Sequence, residues 1–181
     1  GTTTDYYYPT TGGTDPDTSH NERGNGTWVF TPDLAVDAQF ESLTGAARGV
    51  PAIHPAAVGA EAAATFKVQP ANIATGCLVA AQVVRADAGD SVVIEVSSNA
   101  GHSWVPVWNN AATGTVNVSQ NVSDLLKGTY AAGTIKPVLD YLVRVRMTAA
   151  GTATDAGLNS LTVTTTTVCS RAALPRLGLG K

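Results

Sequence analysis

Charge is scarce in this chain. Asp, Glu, Lys and Arg together make up 14% of its 181 residues, against roughly 25% in ordinary soluble domains. The formal net charge is −3, and no cluster of Lys or Arg occurs anywhere. A surface that tracks a phosphate backbone needs clustered cations, so nucleic-acid binding is excluded. Long apolar runs are also missing: none approaches the roughly 18 residues of a membrane-spanning helix. Of cysteine there are two, in neither a CxxC nor a Cys/His spacing, which excludes a zinc site. Helical patterning is confined to 122–127 (VSDLLK), one turn at most, with Ser123 as N-cap and Gly128 behind it. No self-similarity at a period of roughly 20–50 residues occurs, which excludes a propeller or solenoid.

What remains is enough apolar sequence to build a core, 44% of the chain, so this is not a disordered protein. The length fits one large β domain better than two, and such a domain buries roughly 70% of its unfolded surface without needing a metal or disulfide. Strand-like segments follow one another at 28–30, 34–40, 64–68, 77–85, 91–97, 104–108, 114–118, 140–148 and 158–168. Gly, Asn, Asp and Pro punctuate them, and 45–62 reads as small-residue coil. In 140–148, Tyr141, Val143, Val145 and Met147 alternate with Arg144, Arg146 and Thr148, so the first set faces a core. Eight or nine short strands with regular turns predict an all-β, antiparallel β-sandwich, jelly-roll-like, over residues 27–181.

Residues 1–26 hold almost no aliphatic side chain and read as an extended arm or linker. Tyr6, Tyr7 and Tyr8 are its exception, three β-favouring aromatics in need of a surface to lie on. Asp15, Asp17, Asn21 and Glu22 offer oxygens suited to Ca²⁺, although the order is not an EF-hand loop and a solvated linker has the same composition. No other cofactor is implied. Cys77 and Cys169 both stand in strand-like context. In an oxidising compartment they pair if their strands are neighbours; otherwise they are two buried thiols. The chain opens on Gly1, as a processed product or an excised piece does. Sequons occur at Asn25, Asn117 and Asn121.

Catalytic apparatus is not found. His20, His54 and His102 fall in the arm, a Pro-rich loop and a turn, as exposed loop residues, with no nucleophile elbow, HExxH or P-loop. A glycosidase needs two facing carboxylates, one with a raised pKa. Glu95 is the one acid inside a clear strand, and alternation turns it away from Ile94 and Val96 toward solvent. Asp140 caps a strand start. No pair assembles, so the chain is expected not to be an enzyme.

Residues 97–104 read Ser-Ser-Asn-Ala-Gly-His-Ser-Trp, between the strand VVIEV and the strand WVPVW. Asn99 can bond backbone amides ahead of it, Gly101 can take positive φ, and Trp104 can plug the hairpin onto Val105 or Trp108. This stretch resembles the Asp-box (BNR) hairpin of sialidase-like propellers and secreted carbohydrate-active proteins, where it serves as a structural staple. Residues 60–180 as a whole resemble accessory β-sandwich modules of secreted bacterial polysaccharide-active and cell-surface proteins. That likeness implies an extracellular or cell-surface, carbohydrate-binding-type sandwich and carries over no binding residue.

Two functions follow. The first is a polysaccharide-binding or ancillary module, with Trp108 and Tyr130 as the aromatics expected to be exposed for stacking on sugar rings. The second is a structural subunit of an extracellular assembly such as a pilus-like filament, surface layer or matrix fibre. There the arm would add as a strand to the next copy, with the uncharged LTVTTTTV segment as a flat acceptor edge.

Overall fold

The structure is a computed structural model and describes residues 26–109, 112–123 and 138–168. Among them eleven strands form: β1 (Gly26–Phe30), β2 (Ser42–Thr44), β3 (Ala46–Arg48), β4 (Ile53–Pro55), β5 (Glu61–Val68), β6 (Ile73–Arg85), β7 (Ser91–Ser97), β8 (Val105–Asn109), β9 (Gly114–Asn121), β10 (Tyr141–Thr148) and β11 (Ala156–Val168). They build two antiparallel sheets. Sheet A runs β3-β4-β11-β6-β9, with β1 added on β11, and sheet B runs β2-β5-β10-β7-β8. From β4 to β11, every connection except the β7–β8 hairpin crosses from one sheet to the other, and the first of these strands pairs with the last. That is the jelly-roll wrapping.

The alternation read from the sequence sets the core. Tyr141, Val143, Val145 and Met147 of β10 are buried, as are Ala64, Phe66 and Val68 of β5 and Val92, Ile94 and Val96 of β7. They meet Val79 and Val83 of β6 and Leu161 and Val163 of β11 from the opposite sheet. Fully burying such a side chain contributes roughly 1.5–3 kcal/mol. Tyr141 is the largest of them, and its hydroxyl is satisfied inside the core by Thr165 Oγ1 at 2.5 Å and by Cys77 Sγ at 3.1 Å. Gly157 permits a close crossing, since a Cβ there would lie 2.5 Å from Pro51 Cβ and 2.7 Å from the Ile53 carbonyl oxygen.

Several expectations are corrected. Residues 34–40 do not form a strand: a turn and a single 3-10 turn (Asp37–Gln39) occupy them, with Arg48 closing on Asp37. Conversely, the stretch taken as coil between 45 and 62 contributes β3 and β4 and the start of β5, with β2 just before it. These strands are too short for any periodicity to show in sequence, and pairing with β5 and β11 holds them. His54 accordingly lies in β4, half-buried, its Nδ1 bonded to the Pro55 carbonyl. The LTVTTTTV segment is not an edge. It sits inside sheet A, between β6 on one side and β1 on the other, with β4 meeting the same strand further back, at Leu158. The helix expected from 122 onward lies outside the described residues beyond Ser123, as do the arm tyrosines Tyr6, Tyr7 and Tyr8. No helix among the described residues is long and apolar enough to cross a membrane.

Candidate functional site

The two outer faces of the sandwich differ in chemistry. On sheet B, the outward positions carry Glu61 and Lys67 from β5, Glu95 from β7, and Leu142, Arg144 and Arg146 from β10. Register brings these side chains together. Arg144 stands directly opposite Glu95, and Arg146 lies on the diagonal of the same strand pair, within reach of long side chains.

Glu95 is the hub. Arg144 donates from Nε to Glu95 Oε2 at 2.8 Å, and its Nη2 stands in ion-pair contact with the same oxygen at 2.7 Å. Arg146 donates from Nε to the same oxygen at 2.9 Å and from Nη2 to Oε1 at 3.0 Å, and from Nη1 to Glu61 Oε2 at 2.8 Å. Glu95 is therefore not solvent-exposed as alternation suggested. It points to the outer face, but the two guanidinium groups cover it to 5% exposure. Burial by itself raises its pKa, yet the hydrogen bonds from Arg146 and then Arg144 outweigh that and hold it below the ordinary carboxylate value. It is a fixed anion, the opposite of the raised carboxyl that a general acid needs.

The hairpin between β7 and β8 roofs one side of this network. Ser97 Oγ accepts from the Gly101 amide at 2.9 Å, Asn99 Oδ1 accepts from the Ser103 amide at 3.0 Å, and Asn99 Nδ2 donates to Ser103 Oγ at 2.8 Å. Ala100 and Gly101 take positive φ, 56° and 83°, which glycine adopts without a steric penalty. Trp104 does not pack on Trp108. The guanidinium carbon of Arg144 lies 3.9 Å from its ring centroid, a cation–π contact, and the loop backbone at Gly101 stands against both Trp104 and Leu142.

Beyond Leu142 the face opens into a small depression of about 90 Å³ lined by Glu41, Lys67, Ala100, Asp140, Tyr141 and Leu142. Lys67 Nζ and Asp140 Oδ2 pair there at 3.1 Å. Asp140, expected as a turn cap, is thus an ion-pair partner on the depression's wall.

Trp108 pairs with Ile94 and is half-buried against the core. Tyr130, the four residues expected to ligate Ca²⁺ (Asp15, Asp17, Asn21 and Glu22), His20 and Cys169 lie outside the described residues. Cys77 is buried. A different acidic group is brought together by the fold: carboxylate oxygens of Asp87, Asp90 and Asp155 lie within 4.8 Å of one another. These oxygens tie loops. Asp90 accepts from the amides of Asp87 and Ala150, and Asp155 from the amide and hydroxyl of Thr152. The cluster of Arg144, Arg146 and Glu95 was missed in sequence because it depends on the pairing of β7 with β10. The signal that it would share a face, Arg144 and Arg146 alternating against the core set, was present.

No family model and no curated protein matches this chain. Among solved structures it is similar to a xylan-binding module CBM15, with a TM-score of 0.48 and 15% identity over 80% of this chain and 100% of that one. It is also similar to TmCBM61, solved in complex with β-1,4-galactotriose, with a TM-score of 0.33 and 9% identity over 80% of this chain and 87% of that one. Neither likeness assigns a binding residue here.

Proposed function

We propose that the chain is a non-catalytic, extracellular carbohydrate-binding module whose binding surface is the outer face of sheet B. One observation supports this above others. A planar guanidinium, that of Arg144, is locked in position between Trp104 and Glu95, and on the same face Leu142 borders the depression walled by Glu41, Lys67 and Asp140. Sugar hydroxyls are read by such fixed donors and acceptors, with apolar surface beside them. Arg144 keeps Nη1 without a hydrogen-bond partner among the described residues, so a donor pair remains available on a guanidinium that cannot rotate. Trp108 remains a candidate contact outside this surface, and Tyr130 a candidate that lies outside the described residues. The assembly reading loses the acceptor edge assigned to it, since β11 lies inside sheet A.

The test is affinity electrophoresis through gels containing soluble arabinoxylan, galactan, mixed-linkage β-glucan or pullulan. Retardation by at least one polymer, weakened about tenfold or more by Arg144→Gln and by Lys67→Met, is expected. Mobility unchanged by all four polymers, or variants retarded as strongly as the parent chain, would overturn the proposal.

A further inference from the structure

The outer face of sheet A is built on the opposite principle. Register aligns its outward side chains into rows across β1, β11, β6 and β9. One row is Val29–Thr164–Leu78–Asn121. The next holds Thr162, Ala80 and Ser119, extended by Thr31, whose hydroxyl lies 3.2 Å from that of Thr162. A third holds Ser160, Gln82 and Asn117. Not one outward position of these four strands carries a charge, whereas sheet B displays five charged side chains on only two adjoining pairs of strands.

The array is also stiff. Gln82 Nε2 donates to Asn117 Oδ1 at 3.1 Å, and Asn159 Nδ2 donates to Gln82 Oε1 at 3.2 Å, so the amides brace one another across three strands. At its centre two aliphatic side chains stand open, Val29 at 59% and Leu78 at 41% exposure, on either side of Thr164. Methyl groups and hydroxyls therefore alternate across one row. Side chains recur about every 6.7 Å along a strand, with strands about 4.8 Å apart, giving a broad, regular grid.

Composition narrows what can cover it. Protein interfaces concentrate aromatic residues, Met and Arg at their centre and are poor in Ser, and this face has none of the former. A polyanion or an anionic membrane surface requires Lys or Arg. An uncharged polyol surface meets the remaining description: it offers hydroxyls to Thr, Ser, Asn and Gln and C–H faces to Val29 and Leu78, and no buried charge results on either side. A preorganised grid loses little side-chain freedom on contact.

We infer that the outer face of sheet A is a second binding surface, for the flat exterior of an insoluble, neutral polysaccharide. The inference rests on the carbohydrate-binding reading but uses a different face, so the two fail separately. The experiment is co-sedimentation of the full chain with microcrystalline cellulose, chitin and insoluble xylan, beside the gel assay with soluble polymers. Depletion of the chain by at least one solid is expected. Leu78→Lys and, separately, Ser119→Lys should lower the bound fraction at least tenfold while soluble-polymer retardation and thermal midpoint stay unchanged. Sedimentation with none of the three solids overturns the inference, as does undiminished sedimentation of both variants. So does a chain that elutes as a dimer and becomes monomeric on Leu78→Lys, which would make the face a contact between copies. In each case the gel assay still judges the sheet B site.

Discussion

Arg144 is held on two sides at once: its guanidinium carbon sits 3.9 Å from the centre of the Trp104 ring, and its Nε and Nη2 both reach one oxygen of Glu95. A lysine would supply the charge without the planar fork that makes both contacts possible. Neutralising the shared carboxylate should therefore be felt by both guanidinium groups. Glu95→Gln is expected to lower stability by about 2–3 kcal/mol, because breaking a buried pair strands its partners. The measurement is urea unfolding. A loss under 0.5 kcal/mol (on the order of a surface change) would show that the network is ornamental to the fold.

The same group gives the chain an acid-sensitive component. Its folded-state pKa is below the ordinary carboxylate value, through Arg146 and Arg144 acting against burial. The unfolded chain then binds more protons in that range, so stability is full above the unfolded pKa and falls as pH drops through the folded one. Asp155, lowered by its bonds from Thr152, acts in the same direction. The urea midpoint should decline below about pH 4.5, the unperturbed value for Glu95. In Glu95→Gln the decline should be shallower. Equal slopes would assign the acid sensitivity to other carboxylates.

Tyr141→Phe tests the buried hydroxyl pair of Tyr141 and Thr165. Burial raises the Tyr141 pKa above its ordinary value, so the phenol stays protonated and donates. Its removal leaves the fully buried Thr165 hydroxyl without that partner. The expected cost is about 1–2 kcal/mol, read from thermal or urea unfolding, with no change in polysaccharide binding.

Gly157→Ala should destabilise by about 1–3 kcal/mol through overpacking. The added methyl would meet Pro51 and the Ile53 carbonyl where β11 passes β4. Gly59→Ala is the contrast. Nothing stands within 4 Å of the position, so only its φ of +73° opposes the change, and about 1 kcal/mol is expected.

Long, clean alternations were legible from sequence. Residues 140–148 told both which side chains enter the core and that Arg144 and Arg146 share the other face. The turn at Asn99–Gly101 was legible as well, since its residue types carry their own geometry. The three-residue strands β2, β3 and β4 were not, because a strand that short shows no period and is fixed by its neighbours. Glu95 was read as exposed since alternation tells the face but not the cover; what covers it comes from β10, far along the chain. LTVTTTTV reads as an edge by composition, uncharged and flat, and became central because β1 docks on the flank that β6 leaves open.

The wrapping order has a consequence for how the protein comes into being. β11 lies between β6 and β4, and β10 lies between β5 and β7. As the chain emerges in synthesis, β2 can pair with β5 and β3 with β4, but the strands that join the halves of each sheet, β10 and β11, are made after the other described strands. The face of sheet B becomes continuous when β10 enters its slot and that of sheet A when β11 does, and a chain cut short before β10 would present neither.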